Sequence, residues 1–132
     1  LAVPPVKTTP LGIALLDQPF DVAYDRQGNL YLSDTNNHKI RRVDVRTGTI
    51  TTVAGKALSK PASISIAGGS VFVSDTNNDR VLRYALKDTP PPTGGPKLER
   101  TLYGYAPADM YPVDVTSTST HYYVVDPGRY SI

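Results

Sequence analysis

Ser33-Asp34-Thr35-Asn36-Asn37 is repeated letter for letter as Ser74-Asp75-Thr76-Asn77-Asn78, at an offset of 41 positions. An alternating apolar run precedes each copy, and a run that mixes basic and apolar residues follows it. An identical pentapeptide in the same context at a fixed period indicates a structural repeat. The sequence therefore predicts a chain built from repeated units.

The residues around the first pentapeptide predict four short strands. Pro19 opens the first strand, tight turns separate all four, and Gly28 and Asn29 suit the left-handed backbone of a hairpin connection. β-branched and aromatic residues dominate the strands and alternate with polar residues, as in antiparallel sheets. The predicted strands are 20–24, 30–33, 39–44 and 49–54.

The same order recurs twice. The second repeat starts at Pro61 and carries a Pro/Gly-rich insertion at 87–97, which cannot join a central strand. The third starts at Pro112, and its turn aspartate is Asp126; 14 positions separate proline from aspartate in both repeats. The predicted organisation is a leading segment at 1–18 and units at 19–60, 61–111 and 112–132, the last of them truncated.

These residues resemble the NHL repeat. Pro19-Phe-Asp-Val-Ala, Gly28-Asn-Leu-Tyr-Leu-Ser-Asp34, Asn37-His38-Lys39-Ile40-Arg41-Arg42-Val43 and Gly48-Thr-Ile-Thr-Thr-Val-Ala-Gly55 carry the resemblance, and the second and third repeats follow it less closely. The resemblance implies an all-β fold in which each repeat is one four-stranded blade of a β-propeller. Residues 1–18 would supply a strand to a preceding or closing blade.

The predicted blades do not close a ring. Propellers need about four to eight blades, and this sequence holds about two and a half. We therefore expect a fragment of a longer propeller, or a component completed by other chains. The alternative is a ring of copies in which residues 3–9 of one copy complete the third blade of the next, a contact that closes head to tail.

Composition excludes several classes of site. The chain has 132 residues, a formal net charge of +2 and no cysteine, which removes disulfides, thiolate metal sites and a cysteine nucleophile. A charge this small predicts no general attraction to nucleic acid or membranes. Leu1-Ala2-Val3-Pro4-Pro5 is expected to be a processed or internal N-terminus, compatible with export or an organelle, so the sequence assigns no compartment.

The recurring aspartates have two interpretations. Asp34, Asp75 and Asp126 would form a cation-binding carboxylate ring, or each would accept amide hydrogen bonds in an Asx-type turn. Recurrence in every repeat favours the turn, with the asparagines after it adopting positive φ. The residues assigned to structural turns are Asp34, Asn37, Asp75, Asn78 and Asp126.

Basic residues follow each turn. Lys39, Arg80 and Arg129 are expected to pair with an aspartate. Arg42 and Arg83 occupy equivalent places in the third strands and are candidate interaction residues. Some NHL relatives bind RNA on a basic face, but strand alternation sends neighbouring arginines to opposite faces, so RNA binding is a secondary alternative.

Tyrosines mark the other candidate surface. Tyr103, Tyr105 and Tyr111 surround a loop, and aromatic amphipathic side chains suit protein interfaces. His38 and His121 do not form a catalytic set, and we predict no catalytic residue, metal or cofactor within the chain. The function predicted is a non-catalytic scaffold or protein-interaction propeller with protein partners; the alternatives are part of a metal-dependent lyase or hydrolase, whose catalytic residues lie elsewhere, and an RNA-binding propeller.

Overall fold

Antiparallel strands make up the fold. The computed structural model describes residues 15–86 and 111–127 in full, and the strands at 9–10 and 98–103 by their backbone. The strands are β1 (Thr9–Pro10), β2 (Pro19–Tyr24), β3 (Leu30–Asp34), β4 (Lys39–Asp44), β5 (Thr49–Ala54), β6 (Pro61–Ala67), β7 (Ser70–Asp75), β8 (Arg80–Ala85), β9 (Leu98–Tyr103), β10 (Asp114–Ser117) and β11 (Tyr122–Val125). No helix in these ranges is long and apolar enough to cross a bilayer.

The strands form three sheets that follow the repeats. The first has the order β1-β5-β4-β3-β2, the second β6-β7-β8-β9, and the third is the hairpin of β10 and β11. Each first strand pairs with its second in the same register: Val22 lies opposite Leu32, Ile64 opposite Val73, and Val115 opposite Val124. Alternating apolar residues therefore point to the same side in every sheet.

Two apolar layers join the sheets. β7 is buried along its whole length, and its alternate residues face opposite neighbours. Val71 and Val73 pack in the layer between the first and second sheets, whereas Phe72 packs in the layer against the third. The members of the first layer are Tyr31, Ile40, Val53, Leu58, Ile64, Val71, Val73, Leu82 and Tyr84; those of the second are Phe72, Val81, Val115 and Val124.

The first strands of the three repeats lie side by side. β6 contacts β2 on one side and β10 on the other, so these inner strands run along one edge of the stack. This arrangement confirms the predicted all-β architecture of propeller blades in an incomplete ring. Thr9 and Pro10 pair with β5 and extend the outer edge of the first sheet. The insertion at 87–97 and the residues at 104–110 and 128–132 lie outside the described residues.

Candidate functional site

The first pentapeptide binds the segment that leads into its own sheet. The amide of Asp17 donates to Oδ1 of Asp34 over 2.8 Å, and the side-chain amide of Asn37 donates both to Asp34 and to the carbonyl of Leu15. The amide of Asn36 completes the contact by donating to the carbonyl of Asp17. The pentapeptide therefore fixes the backbone just before Pro19.

The second pentapeptide makes the same bonds. Ser59 donates its amide to Oδ1 of Asp75 over 2.7 Å, and Asn78 bridges Asp75 and the carbonyl of Ala57. The amide of Asn77 donates to the carbonyl of Ser59. We call this arrangement the clasp: the turn aspartate and the second asparagine hold the residues two to four positions before the opening proline.

The clasp differs from the expected Asx-type turn. The residues after each aspartate form one 3-10 turn, and neither aspartate caps that turn with its side chain. The positive φ falls on His38 and Asp79, one position after the asparagines. The side chains of Asn37 and Asn78 instead bridge the turn aspartate to the segment that leads into the sheet.

The third repeat keeps the aspartate but changes the residues after it. The amide of Tyr111 donates to Oδ1 of Asp126 over 3.0 Å, which matches the bonds from Asp17 and Ser59. Asp126, like Asp34 and Asp75, is almost completely buried. Its position directly after β11 is therefore equivalent to that of the aspartates that end β3 and β7, although Pro127 replaces the threonine of the pentapeptide.

The arginine that pairs with the turn aspartate occupies a different position of the third strand in the first and second repeats. Arg80 lies directly opposite Asp75, and its Nε is 2.7 Å from Oδ2, as the sequence predicted. In the first repeat Lys39 lies opposite Asp34, but the ion pair is formed by Arg41, at 2.8 Å. The predicted Lys39 pair is therefore wrong: Arg41 is two residues further along the same face of β4 and also reaches Oγ1 of Thr52.

Replacing Arg41 by Ala should lower the free energy of unfolding by about 1–2 kcal/mol, because Asp34 is buried and loses a charge-assisted donor. Lys39→Ala is the matched variant, since it removes a cation from the same face without touching this pair. It should cost less than about 0.5 kcal/mol. Urea denaturation followed by circular dichroism measures both, and equal losses would contradict the assignment.

Tyr84 lies close to the second clasp. Burial raises the pKa of Tyr84 to about 12, and the charge of Asp75 adds to the rise while Arg80 opposes it. Burial likewise raises the pKa of Tyr31 in the first repeat. Both phenols are held neutral by an apolar layer that disfavours a phenolate.

The pKa of Tyr84 predicts a loss of stability at high pH. Because the folded pKa lies above the value of about 10 of an unfolded tyrosine, the contribution of Tyr84 is complete below pH 10 and is lost above it. The free energy of unfolding should fall by about 1.4 kcal/mol per pH unit between pH 10 and 12. Denaturation at several pH values tests this; Tyr84→Phe should flatten the dependence, and an unchanged slope would contradict it.

Three polar side chains that sequence reasoning did not single out meet on the inner strands. Oγ of Ser63 lies 2.9 Å from Oδ2 of Asp21 and 2.6 Å from Oδ1 of Asp114. The amide of Ile64 also donates to Oδ2 of Asp21. Each residue stands two positions after the opening proline of its repeat. A polar residue at this fixed place in each apolar strand was the sequence signal that could have predicted the contact.

A threonine in each pentapeptide links neighbouring sheets. Oγ1 of Thr35 donates to the carbonyl of Pro61 over 2.8 Å, and Oγ1 of Thr76 donates to the carbonyl of Pro112 over 2.8 Å. His38 adds a link between the first two sheets, because its Nδ1 accepts the amide of Lys60 over 3.0 Å. The residues of the repeated turn therefore join one sheet to the next as well as binding their own incoming segment.

A cleft of about 200 Å³ opens between the second and third sheets. Phe72 and Tyr122 stack on one another with ring centroids 6.1 Å apart, and the guanidinium of Arg83 lies over the Phe72 ring at 5.9 Å. The Thr118–His121 turn forms the other wall. The cleft thus combines aromatic faces, a cation and hydroxyl groups, and its lining residues are Ala67, Gly68, Phe72, Arg83, Thr118, Ser119, Thr120, His121 and Tyr122.

The predicted interaction residues are not brought to one place. Arg83 lines the cleft and donates from Nε to Ser70, whereas Arg42 is mostly buried in the first sheet, 3.5 Å from Asp44. Tyr111 is exposed at the start of the third repeat, and Tyr103 ends β9. Tyr105 lies outside the described residues.

The described residues contain no group of three or more histidine, cysteine or carboxylate side chains placed to hold a metal ion. His38 and His121 lie in the turns of two different sheets. The Nδ1 of His121 lies 2.8 Å from Oγ1 of Thr120, and its ring stacks on Tyr123.

Comparison with known proteins identifies the repeat. A family model described as the NHL repeat matches residues 16–43. The chain is 32% identical over 133 residues to protein SUPPRESSOR OF QUENCHING 1, chloroplastic, of Arabidopsis thaliana, which covers 80% of the chain and 13% of that protein. It is 33% identical over 85 residues to NHL repeat-containing protein 2 of Homo sapiens, which covers 52% of the chain and 12% of that protein.

The fold is also found among solved structures. Hydrazine synthase of Kuenenia stuttgartiensis matches with a TM-score of 0.60 and 17% identity, over 89% of this chain and 36% of that one. At this identity the match concerns the fold alone. The chain spans only 12–13% of the length of the curated relatives named above.

Proposed function

Since the chain belongs to the NHL-repeat β-propeller family, we propose that it serves as a non-catalytic protein-interaction module. The observation that carries this proposal is the cleft between the second and third sheets, where Phe72, Tyr122 and Arg83 converge. Tyrosine and arginine are the residue types that most often dominate binding energy at protein interfaces. Tyr123, whose ring stacks on His121 of the cleft wall, adds an exposed aromatic side chain beside it.

The acidic side chains that recur in the repeats support a structural role. Asp34 and Asp75 bind backbone amides and arginines, and Asp21 binds the amide of the next inner strand. Most of their acceptor sites are thus used within the fold. The cleft, by contrast, presents hydroxyls and the exposed ring of Tyr122 to the outside, and a protein segment with an acidic and an apolar side chain would match Arg83 and Tyr122.

Substitution of an exposed residue at the cleft tests the proposal. Ser119→Arg places a bulky cation at the rim, on the turn that closes the cleft, and Thr47→Arg makes the same change on an exposed turn of the first repeat. Each variant is immobilised, and proteins retained from the native source are quantified and mapped by crosslinking.

The expected result is specific to the cleft. A protein that crosslinks next to the cleft should be retained about tenfold less by Ser119→Arg, the loss expected for one disrupted contact of the dominant kind, and equally by Thr47→Arg. Equal retention by both variants, or no stoichiometric partner under native conditions, would overturn the proposal.

A further inference from the structure

One face of β2 is apolar and exposed. Val22 and Tyr24 are two residues apart in the regular part of the strand, so they point to the same side, and the exposed Phe20 precedes them where the register shifts. Their exposed fractions are 69%, 58% and 74%. We call these three side chains the β2 face.

The positions equivalent to Val22 in the other two repeats are buried, and those equivalent to Phe20 and Tyr24 are half-buried. Ile64 in β6 and Val115 in β10 stand in the register of Val22 and are 4% and 2% exposed. The first sheet covers Ile64, and the second covers Val115. Val22 is therefore exposed at the position that, in the second and third described repeats, packs against the preceding sheet.

The backbone carbonyls of the opening prolines show the same difference between the first repeat and the other two. The carbonyls of Pro61 and Pro112 each accept a threonine hydroxyl from the preceding repeat, Thr35 and Thr76 respectively. The carbonyl of Pro19 occupies the same position in β2, and no side-chain hydroxyl among the described residues donates to it. A sheet docked on the β2 face would meet this acceptor.

Asp21, Ser63 and Asp114 form a series, the inner-strand series, two positions after the opening prolines. This series specifies a second hydrogen-bond donor for a sheet docked on the β2 face. Ser63 stands between two carboxylates, within hydrogen-bonding distance of Asp21 and of Asp114. Carboxylate and hydroxyl thus alternate from one repeat to the next. A sheet that packs on β2 would place its own residue of this series beside Asp21, where a hydroxyl can donate and another carboxylate would be repelled.

The third repeat of a second copy of the chain does not have this chemistry. Its residue in the place of Thr35 is Pro127, which has no donor, and its inner-strand residue is Asp114. Head-to-tail docking of copies would leave the Pro19 carbonyl without a hydroxyl and would bring Asp114 against Asp21. The ring of copies that the sequence left open is therefore disfavoured at both positions.

We propose that the β2 face docks a further blade of this repeat, one with a hydroxyl residue at the place of Ser63 and another at the place of Thr76, and that a second copy of the chain is not its occupant. The apolar side chains supply contact area, and the two hydroxyls select which blade fits. The second repeat of this chain has both residues, so it provides a probe of the required chemistry.

A fused chain tests the proposal. Residues 59–103 are attached in front of Leu1, which adds a blade containing copies of Ser63 and Thr76. The control fusion carries Ser63→Asp and Thr76→Pro in the attached copy only, the residues that the third repeat has at these places. Hydroxyl-radical footprinting then reports the accessibility of Phe20 and Tyr24, with exposed Tyr123 as the internal reference.

The first fusion should lower the labelling of Phe20 and Tyr24 by about twofold or more, because their counterparts in the second repeat, Ala62 and Ile66, are half-buried. The control fusion should leave them labelled, and the unfused chain should sediment as a monomer at all concentrations. Equal protection by both fusions, or an unfused dimer in which Tyr24 is protected, would overturn the proposal.

A second variant tests the proposal without depending on the folding of the attached blade. Asp114→Ser with Pro127→Thr gives the third repeat of the unfused chain the proposed donor set. This variant should gain concentration-dependent association that protects Phe20 and Tyr24. Absence of protection in this variant and in the first fusion would overturn the proposal.

Discussion

Replacing Asp75 by Ala is expected to lower the free energy of unfolding by about 3 kcal/mol. The side chain is completely buried and holds three groups at once: the amide of Ser59, the side-chain amide of Asn78 and the guanidinium of Arg80. Its removal leaves the half-buried amide of Ser59 without its acceptor and separates the turn from the residues before Pro61. Urea denaturation followed by far-ultraviolet circular dichroism measures the loss.

Asp79→Asn is the matched control for this experiment. It removes a carboxylate from the end of the same turn, and asparagine tolerates the left-handed backbone that Asp79 adopts, with φ of 54°. The control should change stability by less than about 0.5 kcal/mol. If the two variants cost the same, the clasp does not stabilise the second sheet as argued.

Replacing Ile64 by Ala is expected to cost about 3 kcal/mol, because it opens a cavity in the apolar layer between the first and second sheets. Val22→Ala is the matched variant at the equivalent position of β2, where the side chain is exposed. It should change stability by less than about 0.5 kcal/mol. The two residues stand at the same register position of equivalent strands. The difference between their losses of unfolding free energy therefore measures the packing of one sheet on another.

Thermal and urea unfolding of both variants provide the measurement. A large loss for Val22→Ala in the unfused chain would mean that the β2 face is already covered. A small loss for Ile64→Ala would mean that the first and second sheets unfold independently of one another.

The strands could be predicted because their signals are local. Alternating apolar residues and turn residues at fixed offsets occur within each repeat, and the period of the pentapeptide aligns the repeats without reference to distant residues. The predicted strands at 20–24, 39–44 and 49–54 agree with β2, β4 and β5 to within one residue. Ladder pairing between neighbouring strands follows from such patterns.

Side-chain partners were harder to predict. Lys39 and Arg41 lie on the same face of β4, and nothing in their spacing decides which of them reaches Asp34. The amides bound by Asp34 and Asp75 lie 17 and 16 positions earlier in the chain. The Asx-type interpretation considered only neighbours of the aspartate, and for that reason it missed the clasp.

The sequence by itself determined that this protein is a stack of antiparallel blades, because periodicity and turn chemistry are written within each repeat. Only the tertiary structure decided what the repeated residues do. It brings Ser63 between Asp21 and Asp114, which are 42 positions before it and 51 after it, and sets threonine hydroxyls against proline carbonyls of the next repeat. Such contacts depend on how one sheet packs on another, a geometry that arises only when separate repeats fold together.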